Sequence, residues 1–186
     1  MASGNGSNFE ALVSAIWNRR IHAEIALLVV NNPGCGAQQR ADRLGIPWLV
    51  LNHRDYDSRT DLDRDMVERF RAADVEGIVM AGWMRIVTSE LIHAFPDRLI
   101  NIHPSLLPSF RGLDGVGQAL RAGVRIAGCT VHLVTEDLDA GPILIQAAVP
   151  VLETDDHNSL SQRIHQQEHH ILPIALMLAA QRWRQG

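Results

Sequence analysis

Apolar residues along the first half of the chain fall into short continuous runs separated by stretches with helical spacing. Glu24 to Val30, Pro47-Trp48-Leu49-Val50-Leu51 and Gly77-Ile78-Val79-Met80-Ala81 are near-continuous apolar runs of the kind that form strands buried on both faces of a parallel sheet. Between them, Phe9, Leu12, Val13 and Ile16 recur at helical spacing and predict a helix from about Asn8. Ala37 to Leu44 reads as a short helix stopped by Gly45. Thr60-Asp61-Leu62-Asp63 resembles a capping box that opens a helix carrying Leu62, Met66, Val67 and Phe70. Strand and helix alternate, which implies a parallel sheet with helices on both faces, right-handed crossovers and a ligand crevice at the carboxyl ends of the strands.

The second half reads differently. Leu99-Ile100 leads into Asn101-Ile102-His103 and then a stiff Pro104-Ser105-Leu106-Leu107-Pro108 segment, so a strand ends on a loop that two prolines hold out of a helix. Leu113 to Arg121 predicts a short helix. Ile126 to Val134 and Ile143 to Val149 predict two strands joined by Thr135-Glu136-Asp137-Leu138-Asp139-Ala140-Gly141-Pro142, too short for a helical crossover, so they pair antiparallel. Asn158-Ser159 predicts the cap of a helix through Leu160, Ile164 and Ile171, with Pro173 either kinking it or starting a second segment to about Trp183. The expectation is an α/β chain forming one domain over residues 1–186. It is Rossmann-like, with a mostly parallel sheet, helices on both faces and antiparallel strands in the C-terminal half. A glycine-rich loop at Ser3 should follow a strand, yet only two residues precede it, so the first strand is expected to be missing.

Composition narrows the function classes. The 186 residues suffice for one buried core, and 46% hydrophobic with 20% charged residues is ordinary for a soluble globular protein. No apolar run is long enough to cross a bilayer, so no membrane partner is expected. A net charge of −4 argues against a broad nucleic-acid footprint. Two cysteines, Cys35 and Cys129, are too few for a disulfide scaffold, and no cleavable signal opens the chain, which points to the reducing cytoplasm. Nine histidines carry no metal-ligand spacing, so no metal is expected.

Three stretches carry candidate chemistry. Asn101 and His103 lie two apart, so in a strand both side chains point to one face. A non-titrating amide beside an imidazole is the combination acyl transfer needs where charge develops on a carbonyl oxygen. The plainer reading is a strand-end pair that satisfies loop backbone. Met1-Ala2-Ser3-Gly4-Asn5-Gly6-Ser7-Asn8, running into a helix, is either an anion cradle or an ordinary loop with an asparagine cap. Asp139 is either an aspartate favoured by a turn or a carboxylate aimed at His103.

Five blocks occur in the order found in the phosphoribosylglycinamide formyltransferase family: Ser3-Gly4-Asn5-Gly6-Ser7-Asn8, Gly82-Trp83-Met84-Arg85-Ile86, Asn101 to Pro108, Leu138-Asp139-Ala140-Gly141-Pro142 and Gln167-Glu168-His169. The chain resembles that family over nearly its whole length. The resemblance implies transfer of a formyl group from 10-formyltetrahydrofolate, as co-substrate, to the amine of glycinamide ribonucleotide in purine biosynthesis, by a monomer or homodimer. It implies that Asn101, His103 and Asp139 are the catalytic trio, that Gly6, Ser7 and Asn8 hold the ribonucleotide phosphate and that Glu168 contacts that substrate. The folate side is implied to comprise Arg59, Met84, Arg85, Ile86 and Val87, together with Asn101 and the closing loop Thr135, Glu136, Asp137, Leu138 and Asp139. Core packing is the plainer reading of Met84, Ile86 and Val87.

This chain departs from the family pattern at Arg111, where many members have proline, and at Leu113-Asp114-Gly115-Val116, where some carry histidines. Arg111-Gly112 also resembles methionyl-tRNA formyltransferase, although no added nucleic-acid-binding segment follows. The alternatives are therefore that relative's activity, formyltetrahydrofolate hydrolysis, or a folate-binding module inactive through loss of its amino-terminal strand.

Overall fold

A strand extends only as far as a neighbour offers backbone groups to pair with, and this rule sets the strand lengths here. In the computed structural model, which describes residues 1–184, the chain forms two compact units, Met1–Leu99 and Ile100 onward.

In the first unit the strands are three residues each: β1 (Leu28–Val30), β2 (Trp48–Val50) and β3 (Ile78–Met80). β1 and β2 pair in parallel, Leu28 opposite Trp48 and Val30 opposite Val50. On the other side of β1 runs the very start of the chain. The Ala2 amide donates to Val29 O at 3.0 Å, and Ala2 makes a parallel bridge with Val30. The same residues bond to the β3 side, where Ala81 N–H donates to Met1 O, Ser3 N–H to Gly82 O and the Met1 amine to Val79 O. Where the sequence leads one to expect the first strand to be missing, Met1–Ser3 takes its place and ties β1 to β3 as a strand would. Glu24 to Leu27 stay outside the ladder, so the long first-strand expectation shrinks to Leu28–Val30.

The helices of this unit are α1 (Ser7–Trp17), α2 (Gly36–Leu44), α3 (Arg59–Ala72) and α4 (Ser89–Ala94). α1 buries Phe9, Leu12 and Val13 of the predicted stripe and leaves Ile16 half-buried, with Ala15 buried beside them. α2 ends at Gly45, which adopts φ 63° in the left-handed region that glycine favours. The cap of α3 is Ser58, not Thr60: the Ser58 hydroxyl accepts from the Asp61 amide, so the helix starts two residues earlier than the sequence pattern places it. α4 escaped the sequence reading because six residues are too few to display a period.

The second unit is built on antiparallel pairing. β4 (Leu99–His103) pairs with β5 (Ile126–Leu133), Asn101 opposite His132 and His103 opposite Thr130. β5 pairs in turn with β6 (Ile143–Pro150), with a register irregularity at Val131/His132. Ala127 through Leu133 are all buried, so β5 is the spine of this unit. α5 (Gly115–Ala122) and α6 (His157–Trp183) complete it. Asp156, not Asn158, caps α6, with Ser159 returning the bond in a full capping box. Pro173 neither breaks nor restarts α6. Burial of Leu160, Ile164, Ile171, Leu172, Ala175 and Ala179 along one stripe offsets the roughly 3 kcal/mol that an interior proline costs.

Candidate functional site

Antiparallel register decides which polar groups meet in the second unit. Alternation along β4 sends Asn101 and His103 to one face, and their partners across the ladder are His132 and Thr130. Thr130 is fully buried, and its hydroxyl is saturated. It donates to Ser105 O at 2.7 Å and accepts from the Leu107 amide at 3.0 Å and from Gln146 Nε2 at 2.9 Å. Gln146 also donates to Leu107 O. The stiff loop after His103 is therefore tied to β5 and β6 through Ser105 and Leu107.

His103 is 6% exposed, and oxygen acceptors face both its ring nitrogens. Nε2 lies 2.8 Å from Phe110 O, and Nδ1 lies 3.4 Å from Asp139 Oδ2. A ring carrying hydrogen on both nitrogens satisfies both neighbours. Asp139 thus faces His103 and also sits at φ 50° in a turn, so the geometry of both sequence alternatives is present in this residue. Its Oδ2 also accepts from the Gly112 amide at 2.8 Å. Gly141, two residues on, allows the turn back into β6: a Cβ there would lie 1.9 Å from Leu133 O.

His132 was not singled out from the sequence, and it belongs to the same cluster. Its Nδ1 is 2.8 Å from Leu133 O, an acceptor only, so Nδ1 carries the proton and Nε2 offers a lone pair. Burial pushes the ring pKa down, against the opposing pull of the Leu133 carbonyl and Asp139. The neutral ring accepts from Asn101 Nδ2 at 3.2 Å. That bond fixes which end of the Asn101 amide is nitrogen and leaves its second N–H to donate elsewhere. Asp139 Oδ1 lies 3.8 Å from Nε2, but a lone pair facing a carboxylate is not an ion pair. The overlooked signal was a polar residue inside a strand buried along its length, where a hydrogen-bond partner is obligatory.

The remaining predicted residues of this unit lie in two places. Glu168 is buried on α6, close enough to Cys129 of β5 that its charge, after burial, helps push that thiol up to about 12. Thr135, Glu136, Asp137 and Leu138 form an exposed loop leading to Asp139, with the Thr135 hydroxyl on Asp137 O.

In the first unit, Gly6, Ser7 and Asn8 sit at the start of α1, with Gly6 as cap at φ 81°. Ser3, ahead of them, accepts the Met84 amide on its hydroxyl at 2.9 Å, so the glycine loop and the Gly82–Met84 turn are joined. Met84 and Ile86 are 67% and 52% exposed, apolar side chains that the core does not claim, whereas Val87 is buried. Arg59, at the first position of α3, is exposed and Arg85 is half-buried. Both lie near Asp63, whose carboxyl is held above the usual range by burial while the Thr88 amide and the two arginines pull it down. Among the described residues, no group of three or more histidine, cysteine, aspartate or glutamate side chains is placed to hold a metal ion. No helix among them is long and apolar enough to cross a membrane.

The formyl transferase family matches residues 1–176. A phosphoribosylglycinamide formyltransferase of Bacillus subtilis is 44% identical over 175 residues, 94% of this chain and 90% of its own. The enzyme of that name from Escherichia coli is 36% identical over 176 residues, 95% of this chain and 83% of its own. A trifunctional purine biosynthetic protein of Drosophila melanogaster is 46% identical over 180 residues, but the chain spans only 13% of its length. The crystal structure of glycinamide ribonucleotide transformylase 1 from Symbiobacterium toebii superposes with a TM-score of 0.92 at 44% identity, over 94% of this chain and 82% of that one.

Proposed function

The chain belongs to the formyl transferase family, and from that premise we propose that it moves the formyl group of 10-formyltetrahydrofolate to the amine of glycinamide ribonucleotide, giving formylglycinamide ribonucleotide in purine biosynthesis. The observation that carries the reading is the cross-strand cluster in which Asn101, His103, His132 and Asp139 meet on β4, β5 and the turn after β5. The names of the relatives support it, as does the unbroken family match across both units, which favours one formyltransferase domain over residues 1–186.

In the proposed reaction the substrate amine attacks the formyl carbon, the carbon–nitrogen bond to the folate breaks, and the proton the amine loses passes to the departing folate nitrogen. The formyl oxygen carries negative charge between the two events. Asn101 donates the N–H that His132 leaves free, and doubly protonated His103 is the second donor. Each such donor contributes about 3–4 kcal/mol to the transition state. The Phe110 carbonyl and the reacting oxygen compete for the Nε2 hydrogen, so that carbonyl yields its bond as charge builds. Asp139 faces Nδ1 and stabilises the imidazolium. Gly6, Ser7 and Asn8 take the substrate phosphate on main-chain N–H groups at the start of α1, and Glu168 contacts the same substrate. Exposed Met84 and Ile86, together with buried Val87, line the pterin slot. Arg59, Arg85 and the loop Thr135–Leu138 complete the folate side. The substrates are small molecules, and the work is assigned to the cytoplasm, by a monomer or homodimer.

The test is steady-state transfer with both substrates. Formation of formylglycinamide ribonucleotide that requires the amine supports the proposal. Release of formate independent of the amine, or folate binding without turnover, overturns it.

A further inference from the structure

The glycine loop of the first unit is held from behind by one side chain. Arg40, on α2, donates from Nε to Asn5 O at 2.8 Å and from one terminal nitrogen to Asn5 Oδ1 at 2.7 Å, and its other terminal nitrogen is bonded to Glu10. Glu10 lies in the first turn of α1 and is also bonded by Arg43. One guanidinium thus spans the loop and the helix that bear Gly6, Ser7 and Asn8. The start of α2 adds a second pin: the Ala37 amide, one of the donors a helix start leaves without an internal partner, donates to Gly4 O at 3.0 Å.

The consequence follows from the planarity of the trans peptide, in which carbonyl and N–H point opposite ways. With Gly4 O and Asn5 O both drawn onto α2, the N–H groups of Asn5 and Gly6 are turned away from it. In sequence they run directly into the N–H groups that begin α1. The packing that allows this is close. A Cβ on Gly6 would lie 2.6 Å from Ala37 Cα, and one on Gly36 would lie 2.8 Å from Asn5 O. Arg40 and Arg43 against Glu10 also leave one positive charge in excess behind the loop.

We infer that Arg40 is a positioning residue for anion recognition: without touching the ligand, it sets the orientation of the Asn5 and Gly6 peptides that receive a phosphomonoester. The inference rests on the proposed role of Gly6, Ser7 and Asn8. Arginine is required because lysine, a single point donor, cannot hold Asn5 O, Asn5 Oδ1 and Glu10 together.

Initial rates are measured for the wild type, Arg40→Gln and Arg40→Lys with the ribonucleotide, with its dephosphorylated ribonucleoside, and with inorganic phosphate as competitor. In the wild type the phosphorylated acceptor is preferred and phosphate competes with it. Arg40→Gln is expected to raise the ribonucleotide KM about tenfold or more and weaken phosphate competition in parallel, with kcat and the folate KM within about twofold. Arg40→Lys, which keeps charge and helix propensity, is expected to fall between. A ribonucleotide KM for Arg40→Lys equal to that of the wild type overturns the inference, as does an equal value for a folded Arg40→Gln. A wild type that neither prefers the phosphorylated acceptor nor is inhibited by phosphate overturns the phosphate-loop reading itself, and the role of Arg40 with it.

Discussion

The two units build their polar sites from different material. At Gly4 to Asn8 the atoms proposed to recognise the ligand are main-chain N–H groups, and what shapes them is the absence of Cβ at Gly6 and Gly36 together with carbonyls pinned by Ala37 and Arg40. At β4 and β5 the atoms proposed to act are side-chain nitrogens, and ladder register with Thr130 and Gln146 shapes them. A backbone site fails when something is added, because a new Cβ displaces the main chain. A side-chain site fails when something is removed, because the proton donor itself is gone.

Substitutions at three positions separate these modes of failure. The largest effect is expected from His103→Ala, which removes a donor and proton carrier and should lower kcat by about 10²–10⁴-fold while the folate KM changes little. Turnover retained within tenfold would take His103 out of the reaction. Next is Gly6→Ala, which forces a Cβ to within 2.6 Å of Ala37 Cα at a left-handed backbone position. It should raise the ribonucleotide KM and destabilise the fold by more than about 1 kcal/mol, with kcat less affected than in His103→Ala. An unchanged KM would argue that the loop binds nothing.

The smallest expected effect concerns His132. Its ring is held neutral in the fold, with a pKa below the ordinary 6.5, so the unfolded chain binds the proton first as pH falls. The sign follows from linkage: this contribution is complete above about pH 6.5 and is lost as pH drops toward the lowered folded value. Urea melts at about pH 7.5 and about pH 5.5 should therefore show a stability loss that His132→Gln reduces, and an equal loss in both proteins would refute this assignment. Glutamine can still accept from Asn101, so its kcat should exceed that of His132→Ala.

Much of the proposed catalytic cluster was legible because its members lie in short segments. Asn101 and His103 share a face through strand alternation alone, and the prolines after them mark the strand end. Asp139 was visible as a turn residue in a connection too short for a helix, which made β5 and β6 an antiparallel pair. His132 was not legible, because its relevance depends on sitting opposite Asn101, a fact of register between segments 31 residues apart. Arg40 was hidden for the same reason, since its acceptor at Asn5 is 35 residues away. The α3 and α6 caps were each displaced by two residues because serine, threonine, aspartate and asparagine crowd both sites, and only the backbone angles decide which of them caps.

By itself, the amino-acid sequence determined the class of the fold, the order of its elements apart from α4, the glycine loop ahead of α1 and the chemical identity of the groups assigned to the proposed formyl transfer. These follow from period, turn chemistry and residue type, all of which act within a few residues of one another. Only the tertiary structure decided the direction of the Asn101 amide, the bonding of both His103 nitrogens and the facing of the Asn5 and Gly6 peptides. Each of those depends on a partner brought from far along the chain, and a hydrogen bond has no direction until both of its ends are in place.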